Sequence, residues 1–241
     1  MKVLAIGNSF SQDATRYLHQ IAKADGHNLK VVNLYIGGCS LRTHYHNMLN
    51  DERAYVMEFN GEITGFKVSV REALQSDEWD FVTMQQASPQ SVDYETYQPY
   101  LMALSQYVKK YAPKAKQVMH QTWAYEQGSD KLRIQMGYAE QKAMFDDLKA
   151  AYKKASEDLG DIPVIPCGEA FQHALSNGIA KIHRDTFHAS LGVGRYILAA
   201  VWYEFLIGNP IAENTFADFD EEVSQEELRL AKKSVAETMA K

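Results

Sequence analysis

The sequence predicts an α/β protein: a three-layer α/β/α sandwich built on a five-stranded parallel sheet. Two observations carry this expectation. Five short apolar runs, most of them rich in branched residues, are each followed by helical spacing, the βαβ pattern that covers a parallel sheet on both faces. The chain also has 241 residues, 46% of them hydrophobic, with no linker, repeat or low-complexity stretch to divide it, so residues 1–241 are expected to form one domain around one core.

Each element has a local reason. Lys2-Val3-Leu4-Ala5-Ile6 reads as a buried first strand that stops at Gly7. Ala14, Tyr17, Leu18, Ile21 and Ala22 then recur at helical spacing, giving one apolar face to about Gly26. Ser9 and Gln12 have capping-box spacing, which puts Ser9 at the amino end of that helix, where free N–H groups and the dipole favour negative charge. Residues 29–36 form the second strand and end in Gly37-Gly38-Cys39-Ser40; residues 41–50 look helical. Weak alternation around Asn60-Gly61 predicts a small hairpin over about 53–70, an insertion laid on the main fold. A short helix over 70–75 precedes the third strand, 79–84, which gives way to Gln85-Gln86-Ala87-Ser88-Pro89.

Helical spacing returns over 93–111 until Pro113 breaks it. Residues 115–121 are the fourth strand, followed by Thr122-Trp123-Ala124-Tyr125 in a loop. A long helix over 132–159 ends at Gly160, a suitable residue for a left-handed cap. The fifth strand, 162–166, carries two prolines and therefore belongs at a sheet edge. A helix over 169–175 leads into the loop His183-Arg184-Asp185-Thr186-Phe187-His188; residues 190–206 form a strongly apolar helix, and Ser224-x-x-Glu227 caps a final helix over about 224–240.

Composition excludes several classes. A net charge of −6 with mixed signs argues against a nucleic-acid or anionic-membrane surface, because both need clustered Lys and Arg. Cys39 and Cys167 have neither metal-ligand spacing nor a disulfide framework, and Cys39 reads as a small buried hydrophobe. No stretch approaches the roughly 20 apolar residues of a membrane span. The expected compartment for the chain as given is the cytoplasm, or the periplasm or exterior if a leader has been removed. Oligomeric state is not legible.

Right-handed crossovers place the loops after all parallel strands on one carboxyl edge, where open α/β sheets bind ligands. Ser9, Gly37-Gly38, Gln85-Gln86, Trp123 and the 183–188 loop each follow a strand, so they should converge. A serine hydroxyl becomes a nucleophile when a base within hydrogen-bond reach takes its proton and a carboxylate holds that base. Asp185 and His188, three residues apart on one loop, supply carboxylate and imidazole. Acyl transfer also needs donors for the oxyanion, here the Ser9 N–H, the Gly37-Gly38 backbone and a side-chain amide.

Gly7-Asn8-Ser9 after the first strand, Gly38 within Ile36-Gly37-Gly38-Cys39-Ser40, and Asp185-x-x-His188 near the end resemble, in order, blocks of the SGNH/GDSL hydrolase superfamily. The Gly7-Asn8-Ser9-Phe10-Ser11 opening and the His120-x-Thr122-Trp123-Ala124-Tyr125 stretch are similar to a poorly characterised branch of it, and the resemblance covers about residues 1–208. It implies a flavodoxin-like three-layer fold and a serine esterase needing no cofactor or metal. Ser9 would be the nucleophile, His188 the base, Asp185 its orienting acid, and Ser9 and Gly38 the backbone oxyanion donors. Two departures stand out. Asn8 replaces the usual first-block aspartate, and Gln85-Gln86 stands where the third-block asparagine is expected, so the Gln86 amide is assigned the third oxyanion contact, ahead of Gln85.

The implied substrate is a small molecule or carbohydrate carrying a short acyl ester, acetyl by preference. Gln85, His120, Trp123, Tyr125 and His44 are the candidate substrate contacts. Competing readings are core packing for His120, Trp123 and Tyr125, a solvated helix face for His44, and satisfied core amides for the two glutamines. Three rival functions are a flavin- or nucleotide-phosphate cradle at residues 8–11, a metal site from His183, Asp185 and His188, and an inactive carbohydrate-binding domain.

Overall fold

The structure is a computed structural model that describes residues 1–240. Its centre is one seven-stranded sheet in the order β4-β3-β2-β1-β5-β6-β7. Strands β1 (Lys2–Gly7), β2 (Lys30–Tyr35), β5 (Phe81–Met84), β6 (Lys116–His120) and β7 (Val164–Ile165) run parallel, as their sequence predicts. The expectation of a five-stranded, all-parallel sheet is nevertheless incorrect. The hairpin β3 (Tyr55–Phe59) and β4 (Glu62–Val68) is not laid on the fold; it extends the sheet, with β3 antiparallel to β2 through Val32–Phe59 and Leu34–Met57. The free edge of β2 otherwise presents unpaired N–H and C=O groups, and the hairpin satisfies them. At the opposite edge β7 is only two residues long, bounded by Pro163 and Pro166, which cannot donate to a ladder.

Helices α1 (Ser9–Thr15), α2 (Leu18–Ala24), α7 (Cys167–Ser176), α8 (Val193–Ile207) and α9 (Gln225–Met239) form one packed group. Helices α3 (Leu41–Asn50), α4 (Val70–Gln75) and α5 (Tyr100–Tyr111) form a second, and α6 (Gln141–Asp158) lies beside β7. Between Arg195 and Glu204, helix α8 is apolar all round and is buried without a break from Tyr196 to Tyr203, because α1, α2, α7 and α9 cover it.

Three predicted helices are divided. The first splits into α1 and α2. The 93–111 segment becomes a short 3₁₀ turn at Tyr94–Thr96 followed by α5. The 132–159 segment becomes a single π-type turn, Lys131–Gln135, and then α6, separated by Gly137 in a left-handed conformation (φ +76°). Periodicity reports the buried face but not the break, since the apolar stripe continues across it. The carboxyl ends of β1 and β2, with the loops after β5 and β6, meet on one edge.

Candidate active site

The turn after β1 sets the first group. Asn8 is the N-cap of α1: its Oδ1 accepts the Phe10 N–H at 2.9 Å, and Ser11 Oγ accepts the Asn8 N–H at 3.1 Å. The capping box is thus Asn8/Ser11 rather than Ser9/Gln12. Because Asn8 does the capping, Ser9 stands at the first helical position with its hydroxyl unused by the helix. Ser9 Oγ lies 2.8 Å from His188 Nε2, and His188 Nδ1 lies 2.7 Å from Asp185 Oδ2. The other carboxylate oxygen accepts the His188 backbone N–H at 2.9 Å, closing a tight turn in which Thr186 takes φ +76°. The carboxylate therefore favours the tautomer with Nδ1–H toward Asp185 and the Nε2 lone pair toward Ser9. Partial burial pushes the Asp185 carboxyl up, but hydrogen bonds from the His188 ring and backbone outweigh it, so the group sits below its ordinary value.

The loop bearing His188 is pinned from several sides. Trp123 Nε1 donates to Phe187 O at 2.8 Å, the Glu126 N–H donates to Thr186 O at 2.7 Å, and His183 Nε2 meets Ala124 O at 3.0 Å. Asp13, which sequence reasoning missed, is the strongest tie. Its buried carboxylate accepts Arg184 Nη1 and Arg195 Nε, each at 2.9 Å, and the Ala189 N–H at 3.2 Å. It thereby bonds the helix carrying Ser9 to residues on either side of His188. The available signal was its position four residues after Ser9, on the same helix face.

Gly38 lies in a turn closed by the Cys39 N–H to Ile36 O at 3.1 Å, with φ +63°, a conformation that disfavours a side chain. Asn8 Nδ2 donates to Cys39 O at 3.0 Å, tying this turn to the nucleophile turn. Among the described residues no acceptor meets the backbone N–H of Ser9 or of Gly38, and both residues line a cleft of about 490 Å³ together with His188.

The glutamines do something else. Gln86 Oε1 accepts the Leu41 and Ala87 N–H groups at 2.9 and 2.8 Å, while its Nε2 donates to Thr96 O and Oγ1. Its amide is fully used and does not line the cleft, so the expected oxyanion contact from Gln86 is corrected: this is a core amide. Gln85 is likewise buried, donating to Asn8 Oδ1 and meeting His120 Nδ1, both at 2.8 Å. His120 is sealed in the core, where burial lowers its pKa to about 3. His44 is neither a substrate contact nor solvated; it is buried against Tyr55, whose hydroxyl is 2.8 Å from its Nδ1. Trp123 is packed between Phe10 and Phe171. Of the expected substrate contacts only Tyr125 lines the cleft, its hydroxyl 2.9 Å from Ser88 Oγ. Cys39 is buried, and burial drives its thiol up to about 12, which leaves it protonated at neutral pH. Among the described residues no set of three His, Cys, Asp or Glu side chains is arranged to hold a metal ion, and no helix is long and apolar enough to cross a membrane.

No curated protein matches this sequence. The family model described as "Domain of unknown function (DUF4886)" matches residues 2–238. The crystal structure of a DUF4886 family protein from Bacteroides uniformis is similar over 100% of this chain and 95% of its own, with 34% identity and a TM-score of 0.91. A candidate SGNH hydrolase from Slackia heliotrinireducens is 25% identical over 85% of this chain and 97% of its own, with a TM-score of 0.62. An acetyl xylan esterase from Geobacillus stearothermophilus is 17% identical, covering 90% of this chain and 97% of its own at a TM-score of 0.55, a likeness of fold. With a family model spanning nearly its whole length and a solved relative matching it end to end, this chain belongs to the DUF4886 family and is built on the α/β fold seen in SGNH hydrolases.

Proposed function

We propose that the protein is a serine ester hydrolase acting through Ser9, His188 and Asp185. The observation that carries this reading is the unbroken chain Ser9 Oγ, His188 Nε2, His188 Nδ1, Asp185 Oδ2, with links of 2.8 and 2.7 Å, at the wall of an open cleft. His188 takes the Ser9 proton as Oγ attacks the ester carbonyl, then returns it to the departing alcohol. Water, deprotonated by the same imidazole, cleaves the acyl-enzyme and frees Ser9. The unpartnered N–H groups of Ser9 and Gly38 receive the oxyanion, and losing one such donor typically costs about 10²–10³ in rate. Short acyl esters of a carbohydrate are the proposed substrates, with Tyr125 and Phe187 on the cleft wall offering aromatic surface to a ring.

A phosphate cradle at residues 8–11 is less well supported. Asn8 already occupies the Phe10 N–H, α1 has only seven residues, and the Asp185–His188 pair would have no role. The test is covalent labelling by a fluorophosphonate probe with the adduct mapped by mass spectrometry, alongside turnover of p-nitrophenyl acetate. Labelling at Ser9 and loss of both signals in Ser9→Ala are expected. Turnover that survives Ser9→Ala unchanged overturns the mechanism.

A further inference from the structure

The charges around the cleft are lopsided. The protein carries a net charge of −6, yet no Asp or Glu lines this cavity. Two cations do: Arg184 and Lys131. The charge of Arg184 is answered by the buried carboxylate of Asp13, with contacts of 2.9 and 3.0 Å. Lys131 has no such answer. Among the described residues it forms no ion pair; its neighbours in sequence, Glu126 and Asp130, do not pair with it, and Asp185 lies behind His188 rather than in the cleft.

The ammonium is nonetheless held in place. Lys131 Nζ lies 3.3 Å from the Phe187 ring centroid and 5.9 Å from that of Tyr125. The Phe187 ring in turn lies 3.9 Å from the His188 ring. A ring face attracts a cation through its quadrupole and orients it without cancelling its charge. Lys131 also opens the π-type turn Lys131–Gln135, which brings Gln135 to the same wall, and such turns recur where a helix is adapted to a site.

We propose that the substrate carries a negative charge, a carboxylate or phosphate on the part that does not react, and that Lys131 is the group that pairs with it. This deepens the esterase reading and rests on it for the identity of the reacting bond. The anion binds beside the imidazole, on the Phe187 side of the cleft, and the ester carbonyl is presented to Ser9 by that anchor.

The experiment measures binding without catalysis. Ser9→Ala protein is titrated calorimetrically with 4-methylphenyl acetate, 4-acetoxybenzoate and 4-acetoxyphenyl phosphate, and with p-nitrophenyl butyrate against the p-nitrophenyl monoester of glutarate. These pairs separate carboxylate from phosphate and leaving-group charge from acyl charge. At low salt at least one anion is expected to bind about tenfold tighter than its neutral counterpart, with the ratio shrinking at high salt. The ratio should fall to near one in Ser9→Ala/Lys131→Met and be largely kept in Ser9→Ala/Lys131→Arg. Anions that bind no tighter than neutral esters, or not detectably, overturn the proposal, as does a preference that survives Lys131→Met. Failure of the esterase reading looks different: wild-type protein neither labelled nor active, whatever the anion ratio.

Discussion

Two aspartates hold the same loop, and they do it in opposite surroundings. Asp13 has no exposed side-chain surface and meets two guanidinium groups and a backbone N–H; Asp185 is about half exposed, at 47%, and meets a single imidazole and its own loop's backbone. A buried carboxylate without partners is costly, so Asp13 is tolerable only with its full set, and that set spans α1, the 183–189 loop and α8. Asp185 needs no such company because water reaches it. One carboxylate decides where the loop sits, the other which nitrogen of His188 carries the proton. The contrast shows that a titratable group can be vital to a site either by being immovable or by being chemically available, and burial tells the two apart.

Four measurements test that contrast, the largest effect first. Asp185→Asn should lower kcat on p-nitrophenyl acetate by about 10⁴ while leaving the thermal midpoint nearly unchanged, since an amide can hold the wrong tautomer without disturbing the core. A comparable fall in stability would erase the distinction. Asp13→Asn should do the reverse in emphasis: about 3–5 kcal/mol of stability lost in urea titration, because Arg184 and Arg195 lose the partner they share. Unchanged stability would show that the arginines find other acceptors.

Asn8→Asp probes an amide where a third carboxylate is expected from the family resemblance. The Nδ2–H that now reaches Cys39 O would become a lone pair facing a carbonyl, displacing the Gly38 turn. A fall of about 10² in kcat with little change in KM is expected, the effect of a misplaced oxyanion donor. Activity retained in full would mean the turn is held without this bond.

The smallest effect is in pH. Asp185 has a folded pKa below its unfolded value, so the unfolded chain binds the proton first on acidification. Its contribution is complete above about pH 4 and is lost as pH falls through the lowered value. His44, His120 and His183 are lowered by burial to about 3, 3 and 4, so their effect comes earlier: stability is full above about pH 6.5 and declines below it as the unfolded state takes up protons. Urea midpoints of wild type and Asp185→Asn, already close at neutral pH, should therefore fall in parallel between pH 6.5 and 4.5, the small remaining gap closing only below pH 4. Convergence at pH 6 would assign the early loss to Asp185.

Much of this molecule was readable before folding. A branched apolar run ending at Gly7, the Asn60-Gly61 turn and the Asp185-x-x-His188 spacing are local patterns, and each keeps its meaning in any surrounding. What failed to read shares a different cause. Ser9 and Asn8 are both residue types that cap helices, and Asn8, which does the capping, is also held from outside its own turn by Gln85, 77 residues away, which donates to it. Gln86 is a plausible oxyanion amide until Leu41 and Thr96 claim it. The hairpin announces two strands but not the edge they join.

By itself, then, the chain's order of residues determined where most strands and helices lie, though not where helices break, and that Ser9 and Gly38 would stand just past strand ends, whereas Asp185 and His188 reach the same edge on a loop that follows α7; backbone propensity and side-chain period are short-range, and a parallel sheet sends its loops to one edge. Only the tertiary structure decided which polar groups remain free at that edge. Hydrogen-bond partners are satisfied across the whole fold, and a donor is available to a substrate only when no distant carbonyl, amide or carboxylate has already taken it.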